Sequence, residues 1–554
     1  MQGPGTNPPE QPAHARGTPR SAQESSLQPE SYGRAFVKNV TFGLASALTR
    51  FGLGMLVVAY VIRRIGTERW GLVVVATSVV TFLALIQLGA SAGLGKKLNS
   101  HLTCGRFDDF ARCFTAGLVL CLGLSGVVAV GILVVAFVVW PALNINPAFA
   151  REGQLVLLAT GAATICTSMN LPFLAGLQAL HRLDVDATVN IVAIVARSLA
   201  IFAAFELWSA SALTYALALL GGGMLILFGD ATWVLRHVPH ARLTRSGLNL
   251  PLFKELVSFN VLTLFNSLNY VAFMQAPALI LTRLGEPGLL AAGLYGSALQ
   301  LNNLTRGLLM PGYNALLPMA ASLEARRELD QLRRVFLRST RFFGGVAALT
   351  WVGFAVLGDR FLSLWLGSNL AGLPDLQRAL PWLIGTSALG IATLPAAAYL
   401  VALERLRLSA VSGVALAALL VALLLVLLPP SSGKALLYAA IFLCVCFGLY
   451  QLIRVAIVAS ELSVSVSELL KALVLRPTPP AIAAAATALL CVRPAPTDSI
   501  LWFVLSAVAC ALVFVLCAAV FLLDADERSR IPALVRRWRG DASDPPAPTP
   551  PNRE

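Results

Sequence analysis

Charge is scarce in this chain. Only 13% of its 554 residues are Asp, Glu, Lys or Arg, where a soluble domain carries about a quarter. A soluble globular protein is excluded, because hydrophobic residues make up 57% of the chain and gather in many separate runs. Each run reaches the roughly 18 residues that a helix needs to cross a bilayer. A β-barrel is excluded as well, since its strands alternate apolar with polar residues. No Walker phosphate loop, nucleophile elbow or HExxH motif occurs, so nothing points to ATP hydrolysis or covalent catalysis. The nine cysteines show neither metal-ligand spacing nor a disulfide framework, and even the close pair Cys444 and Cys446 sits in an apolar run. They read as buried, inert thiols. His237 and His240 are separated by Pro239, which breaks any helix that would put both rings on one face, so they do not read as a metal pair. The first thirty residues lack an apolar stretch and are rich in Pro, Gly, Ser and Gln. They read as a disordered tail and not as a signal peptide.

What the chain does contain is an all-α integral membrane protein of about fourteen transmembrane helices. The first is predicted over 38–62 and the last over 499–523, with those near 154–175, 186–206 and 479–493 the least sharply bounded. Lys and Arg fall on the side of the amino tail and the even-numbered connections by about three to one. This places both tails in the cytoplasm. Arg63, Arg64 and Arg69 run against the bias. The net charge of +14 is mostly this excess, and it calls for anionic lipid headgroups rather than nucleic acid. Residues 528–539 read as a basic amphipathic segment at the inner surface.

The apolar pattern also repeats. Arg64-Ile65-Gly66 lies between two long apolar runs, and Arg283-Leu284-Gly285 holds the same place between two later ones. Phe107 to Phe114 has a counterpart in Glu328 to Phe336, shifted along the chain by nearly the same interval. A weak repeat of this length in an apolar chain marks a transporter with two lobes and a path between them. Six spans separate the two units, so the lobes share one topology and are related by an axis along the membrane normal. The resulting division is a cytoplasmic tail (1–35), an N-lobe of spans 1–6 (36–235) and an interlobe linker (236–255). A C-lobe of spans 7–12 (256–457), spans 13–14 (458–523) and a basic tail (524–554) complete the chain.

Three arginines fall inside predicted spans: Arg50, Arg197 and Arg306. Each costs about 2.5–3.5 kcal/mol at a helix centre, so they are expected to face a wet cavity or a counter-charge. Arg197 could reach Glu206 only across about two and a half turns, and Asp230 is its other conceivable partner. No central carboxylate stands opposite Arg50 or Arg306. Guanidinium suits phosphate through its planar fork of donors; the plainer alternative is a bond to helix carbonyls. Polar stripes accompany the arginines. Thr263, Asn266, Ser267 and Tyr270 recur at helical spacing beside Asn269, as do Tyr295, Asn302 and Arg306 beside Asn303. Thr160, Thr164, Thr167 and Ser168 form a third stripe, and Asn190 shares a face with Arg197. The repeat sets Arg50 against Asn269 and Arg306 against Gln87. Single polar residues of this kind also glue helices together. Pro277, after the Asn-rich stripe, is the best hinge candidate.

At these residues the chain resembles the multidrug/oligosaccharidyl-lipid/polysaccharide (MOP) exporter superfamily, and is most similar to the polysaccharide-biosynthesis branch containing O-antigen flippases of the Wzx class. The likeness rests on Asn39, Arg50, Arg64-Ile65-Gly66 and Trp70-Gly71. It continues in Leu317-Pro318, Leu332-Arg333-Arg334-Val335-Phe336 and Leu364-Trp365-Leu366-Gly367. The resemblance implies two six-helix lobes plus two extra helices, working by alternating access. It implies a polyprenyl-pyrophosphate-linked oligosaccharide flipped across a bacterial inner membrane for O-antigen, capsule or exopolysaccharide synthesis. It implies no enzyme activity and no cofactor beyond a coupling ion. The implied partners are the lipid-linked glycan, membrane lipids and glycan polymerase machinery, without nucleic acid. On this reading Arg50, Arg197 and Arg306 hold the pyrophosphate. Gln87, Asn190, Asn266, Asn269, Tyr270, Tyr295, Asn302 and Asn303 line the sugar path. The alternative is a cation-coupled multidrug exporter of the MATE type, which expects acidic groups in the cavity. A non-transporting scaffold is the third class.

Overall fold

The computed structural model describes residues 32–142, 147–238, 240–244, 247, 253, 261–284, 286–368, 370–429, 432–492, 499–524 and 527–529. The amino tail to residue 31, half of the interlobe linker and the basic segment beyond 529 lie outside them. Among the described residues the chain forms helices and no strands. The first lobe comprises α1 (Tyr32–Ile65), α2 (Thr67–Thr103), α3 (Phe107–Val134), α4 (Pro147–Met169), α5 (Leu171–Ala179), α6 (Leu183–Leu207) and α7 (Ala212–His237). The second comprises α8 (Val261–Leu281), α9 (Glu286–Ala325), α10 (Leu329–Leu366), α11 (Leu373–Ala392), α12 (Leu394–Ala402), α13 (Leu406–Leu427) and α14 (Ser432–Glu461). Then α15 (Val466–Leu470) passes through a π-helical turn into α16 (Thr478–Val492), followed by α17 (Ile500–Phe521). The last two pack on each other and on α10, outside the second lobe.

Thirteen stretches among the described residues are long and apolar enough to span a bilayer. The fourteenth predicted span corresponds to α9, which is not among them. Its middle carries Asn302, Asn303, Thr305 and Arg306, and it packs against α1 and α2 of the first lobe as well as α8, α11, α12 and α14 of its own. A helix so enclosed needs little lipid-facing surface and tolerates polar residues.

The internal repeat is sharpest where spans four and ten break. In each, a long helix stops before a Leu-Pro pair, Leu171-Pro172 or Leu394-Pro395, and a nine-residue helix continues. Proline has no N–H to donate and fits the first turn of a new helix. Both short helices then end at a residue in left-handed backbone, His181 (φ 56) and Glu404 (φ 55). The Leu-Pro pairs and these two turns are offset by the same interval, and Arg182-Leu183 and Arg405-Leu406 follow in step.

One apolar core joins the lobes. Val57, Val61 and Ile62 of α1 and Val73 to Ala76 of α2 meet Phe273 and Ala278 of α8 and Ala291, Leu294 and Ala298 of α9. Their backbones touch here: a Cβ on Gly71 would lie 2.2 Å from the Leu289 carbonyl oxygen, and one on Gly293 would lie 2.2 Å from that of Thr67. Ser78 Oγ donates to Gln275 Oε1 (2.8 Å) and Trp365 Nε1 to the Met55 carbonyl (2.7 Å) across this seam. Toward the other end each lobe closes on itself. Leu94, Phe110, Phe114, Phe173 and Val234 form one core, and Phe336, Tyr399, Leu400 and Val455 form another. The molecule is therefore joined at the end carrying the α1–α2 and α8–α9 turns and parted at the opposite end.

The three arginines that oppose the charge bias lie at the joined end. Arg63 donates to the Leu364 carbonyl at the end of α10, where the helix dipole favours a cation. Arg64 pairs with Glu206, and Arg69 with Glu152 (3.4 Å). Their side chains serve structural bonds.

Candidate functional site

The seam ends where Gly54 of α1 approaches Leu304 of α9; a Cβ on Gly54 would come 2.7 Å from the leucine side chain. At 1.5 Å per residue, Arg50 lies one turn, about 6 Å, beyond that contact on the parted side. It shares a face with Gly54, Val57 and Val61, the face that meets the second lobe. Its side chain is exposed, as is Asn303 on α9.

Each lobe presents a polar cluster at this level. In the first, Arg50 Nη2 donates to Asn190 Oδ1 (3.4 Å), and Asn190 Nδ2 donates to both the side chain and the carbonyl of Asp186 (2.9 Å each). Asp230 on α7 is fully buried and accepts from Asn170 Nδ2 (2.8 Å) through one oxygen. Asn170 stands at the break between α4 and α5, where its side chain makes no helix-capping bond. The other Asp230 oxygen has no donor, and the Asp186 carboxyl lies within hydrogen-bonding reach of the Asp230 carboxyl. Two carboxylates are both acceptors, so this contact needs a proton or a cation between them.

This corrects two expectations. A carboxylate does stand near Arg50: Asp186, one helical turn before Asn190, linked to the guanidinium through it and acting on it electrostatically. Arg197 pairs with neither Glu206, which is taken by Arg64 and Tyr60, nor Asp230. It borders a cavity of about 190 Å³ walled by Thr77, Thr160, Thr164 and Thr167, with its stem on Gly222. The threonine stripe and Arg197 thus meet, though each of these hydroxyls donates to a carbonyl of its own helix. Arg197 also lies within electrostatic reach of Arg50.

In the second lobe the guanidinium of Arg306 lies over the Tyr270 ring, 4.1 Å from its centroid, a cation–π contact that holds a cation without a carboxylate. Arg454 on α14 is a further cation within a membrane-spanning helix, not singled out by the sequence. It donates to Gln451 Oε1 (2.9 Å), lies 5.4 Å from the Tyr450 ring centroid and is flanked by Tyr313 and Arg306. Its Nε is buried without an acceptor. Asn266 accepts from Ser409 (3.0 Å) and Tyr450 (3.4 Å), closing a network of α8, α13 and α14.

Four residues expected to line the path are enclosed in helix contacts instead. Gln87 donates to Ser125 (3.0 Å) within the first lobe. Asn269 donates to the Ala410 carbonyl (3.0 Å) and lies on Gly413, whose missing side chain admits it. Tyr295 donates to the Met274 carbonyl (2.8 Å), and Asn302 contacts the Met274 sulfur (3.5 Å). They hold helices together, the role that single polar residues commonly take in membranes. Pro277 is buried in α8 next to Gln275 at the seam. Among the described residues no group of three His, Cys, Asp or Glu side chains is placed to hold a metal; His237 stacks on Trp233 and His240 on Phe107.

Residues 36–324 match the family described as polysaccharide biosynthesis protein. The uncharacterized membrane protein EpsK of Bacillus subtilis is 21% identical over 353 residues, 62% of this chain and 67% of its own length. Two solved structures share the fold. One is a multidrug resistance MATE family transporter of the MOP superfamily in an inward-facing conformation (TM-score 0.56, 14% identity, 78% of this chain and 99% of the other). The second is a MOP superfamily transporter from Pyrococcus furiosus, described by the reverse polarity of its binding pocket (TM-score 0.56, 12% identity, 80% and 98%).

Proposed function

Because the chain belongs to the polysaccharide biosynthesis protein family, we propose that this multi-pass membrane transporter flips a polyprenyl-pyrophosphate-linked oligosaccharide across a bacterial inner membrane. The observation that carries the reading is the exposed Arg50 at the parting of the lobes, with the half-buried Arg306 and Arg454 in the opposite wall. Guanidinium groups held on tyrosine faces keep their N–H edges available, and a pyrophosphate offers the matching acceptors. Asn303 and Tyr270 bond sugar hydroxyls, while the polyprenyl tail stays in lipid beside the gap. With both tails cytoplasmic, as the charge bias requires, the parted end faces the cytoplasm, where the cargo is loaded. Anion binding drives the change only as far as it favours one state over the other.

The Asp186–Asp230 pair supplies the coupling in this reading, because a group that must hold a proton or cation when the lobes part can release it when they rearrange. The same pair favours the second reading, a cation-coupled exporter of the MATE type. Export of lipid-linked glycan in cells carrying Arg50→Ala separates them. Lost export with normal membrane insertion supports the flippase; intact glycan export together with efflux of cationic dyes reverses the assignment.

A further inference from the structure

A second polar cavity, remote from the seam, lies between the start of α10, the π-helical turn before α16 and the residues after α17. Its volume is about 800 Å³. Five cations border it: Arg334, Arg338, Arg341, Lys471 and Arg476. Arg341 is 6% exposed and is held by Asp524 (2.7 Å) and Glu527 (2.6 Å). Arg338 reaches Glu527 and Arg476 reaches Asp524, each at 2.7 Å. Two carboxylates thus serve three guanidiniums. Glu468 is committed elsewhere, to Arg333 (2.6 Å) and to the Ser465 N–H in a helix-capping box. Arg334 and Lys471 have no carboxylate partner among the described residues.

The cavity lies at the ends of membrane-spanning helices, on the bilayer face toward which the lobes part. On the same elements, Phe342, Val474 and Leu475 are strongly exposed apolar residues, placed where hydrocarbon covers them. A cationic recess beside a lipid-facing apolar strip fits an amphiphile with an anionic head. We propose that this recess binds the phosphate-bearing headgroup of an anionic phospholipid. Arg334 and Lys471 contact the phosphate, and the paired Arg338, Arg341 and Arg476 keep the floor positive. The bound lipid ties α16 and α17 to α10, independently of the cargo path.

Full-length protein in mild detergent, titrated with phosphatidylglycerol or phosphatidylethanolamine and read by native mass spectrometry, tests this. The anionic lipid is expected to bind about tenfold more tightly, and the double variant Arg334→Gln/Lys471→Gln to reduce that preference to about threefold or less. Arg106→Gln, an exposed cation of the other lobe, is expected to leave it intact, and an unchanged melting temperature without added lipid shows that the double variant folds. An undiminished preference in the double variant, or an equal loss in Arg106→Gln, overturns the proposal. Displacement of phosphatidylglycerol by millimolar inorganic phosphate also overturns it, since a soluble anion is then the occupant.

Discussion

The two lobes share a backbone plan and differ in charge where they part. Asp186 follows the left-handed turn at His181, and Ser409 occupies the same place after the turn at Glu404. Asn190, which links Arg50 to Asp186, has Gly413 as its counterpart, and Gly413 makes room for Asn269. The first lobe therefore holds two neighbouring carboxyls beside one exposed arginine; the second holds two arginines against tyrosines, with no carboxyl bonded to either among the described residues. A duplicated scaffold permits two halves to rock as equivalent bodies. On the proposed function, unequal charge then divides the labour, with anion capture shared across the gap and proton or cation exchange confined to one side.

The largest test of this division is Arg50→Ala, set against Asn269→Ala at the repeat-equivalent position. Arg50→Ala is expected to reduce glycan export about 100-fold by removing a charge-assisted bond to the cargo. Asn269→Ala is expected to keep export within about twofold and cost about 1 kcal/mol of stability. Equal losses in an export assay would show that the lobes do not differ in the way argued. Next in size is Asp186→Asn with Asp230→Asn. Loss of the shared proton or cation is expected to slow transport about tenfold and to flatten its pH dependence, read in reconstituted vesicles; an unchanged pH profile would sink the coupling role. Gly71→Ala probes the joint: with the Leu289 carbonyl so close, it should cost about 1–3 kcal/mol by overpacking, seen as a lowered melting temperature. No loss would mean that the helices separate easily there.

The smallest effect concerns the two helices that lie outside the repeat. Burial raises the Asp524 carboxyl, but its bonds to Arg341 and Arg476 outweigh this and hold it below the usual carboxylate range. A depressed carboxyl contributes stability above its unfolded value, near pH 4, and that contribution is lost as pH falls through the lower folded value. Attachment of α16 and α17, followed by limited proteolysis, should be constant from neutral pH to about pH 5 and weaken below about pH 4. Release in the neutral range would show that these ion pairs do not hold them.

The span count and the two-lobed plan were legible because bilayer thickness and the cost of charge in lipid constrain sequence strongly. The same cost singled out Arg50, Arg197 and Arg306. Arg454 escaped because it sits close to the end of its apolar run, whereas α14 runs on to Glu461, which places the arginine about two turns inside the helix. The polar stripes could be read as faces, but a face at helical spacing does not say what it meets. Asn269 meets a glycine on another helix and Asn303 meets open space, a distinction that exists only after packing. The matched Leu-Pro breaks were present in the sequence as well, but they lie away from the Arg-x-Gly turn and the Phe107 to Phe114 segment that carried the repeat.

The close contacts of Gly71 and Gly293 with backbone carbonyls, and of Gly296 with the Val74 side chain, also set a mechanical advantage. From Gly296 to the end of α9 at Ala325 is an arm of about 44 Å, so a roll of only about 10° at the glycine joint moves its tip by about 8 Å. On the proposed function, a fulcrum where backbone meets backbone lets small rotations clear a bulky sugar headgroup while the apolar joint stays shut.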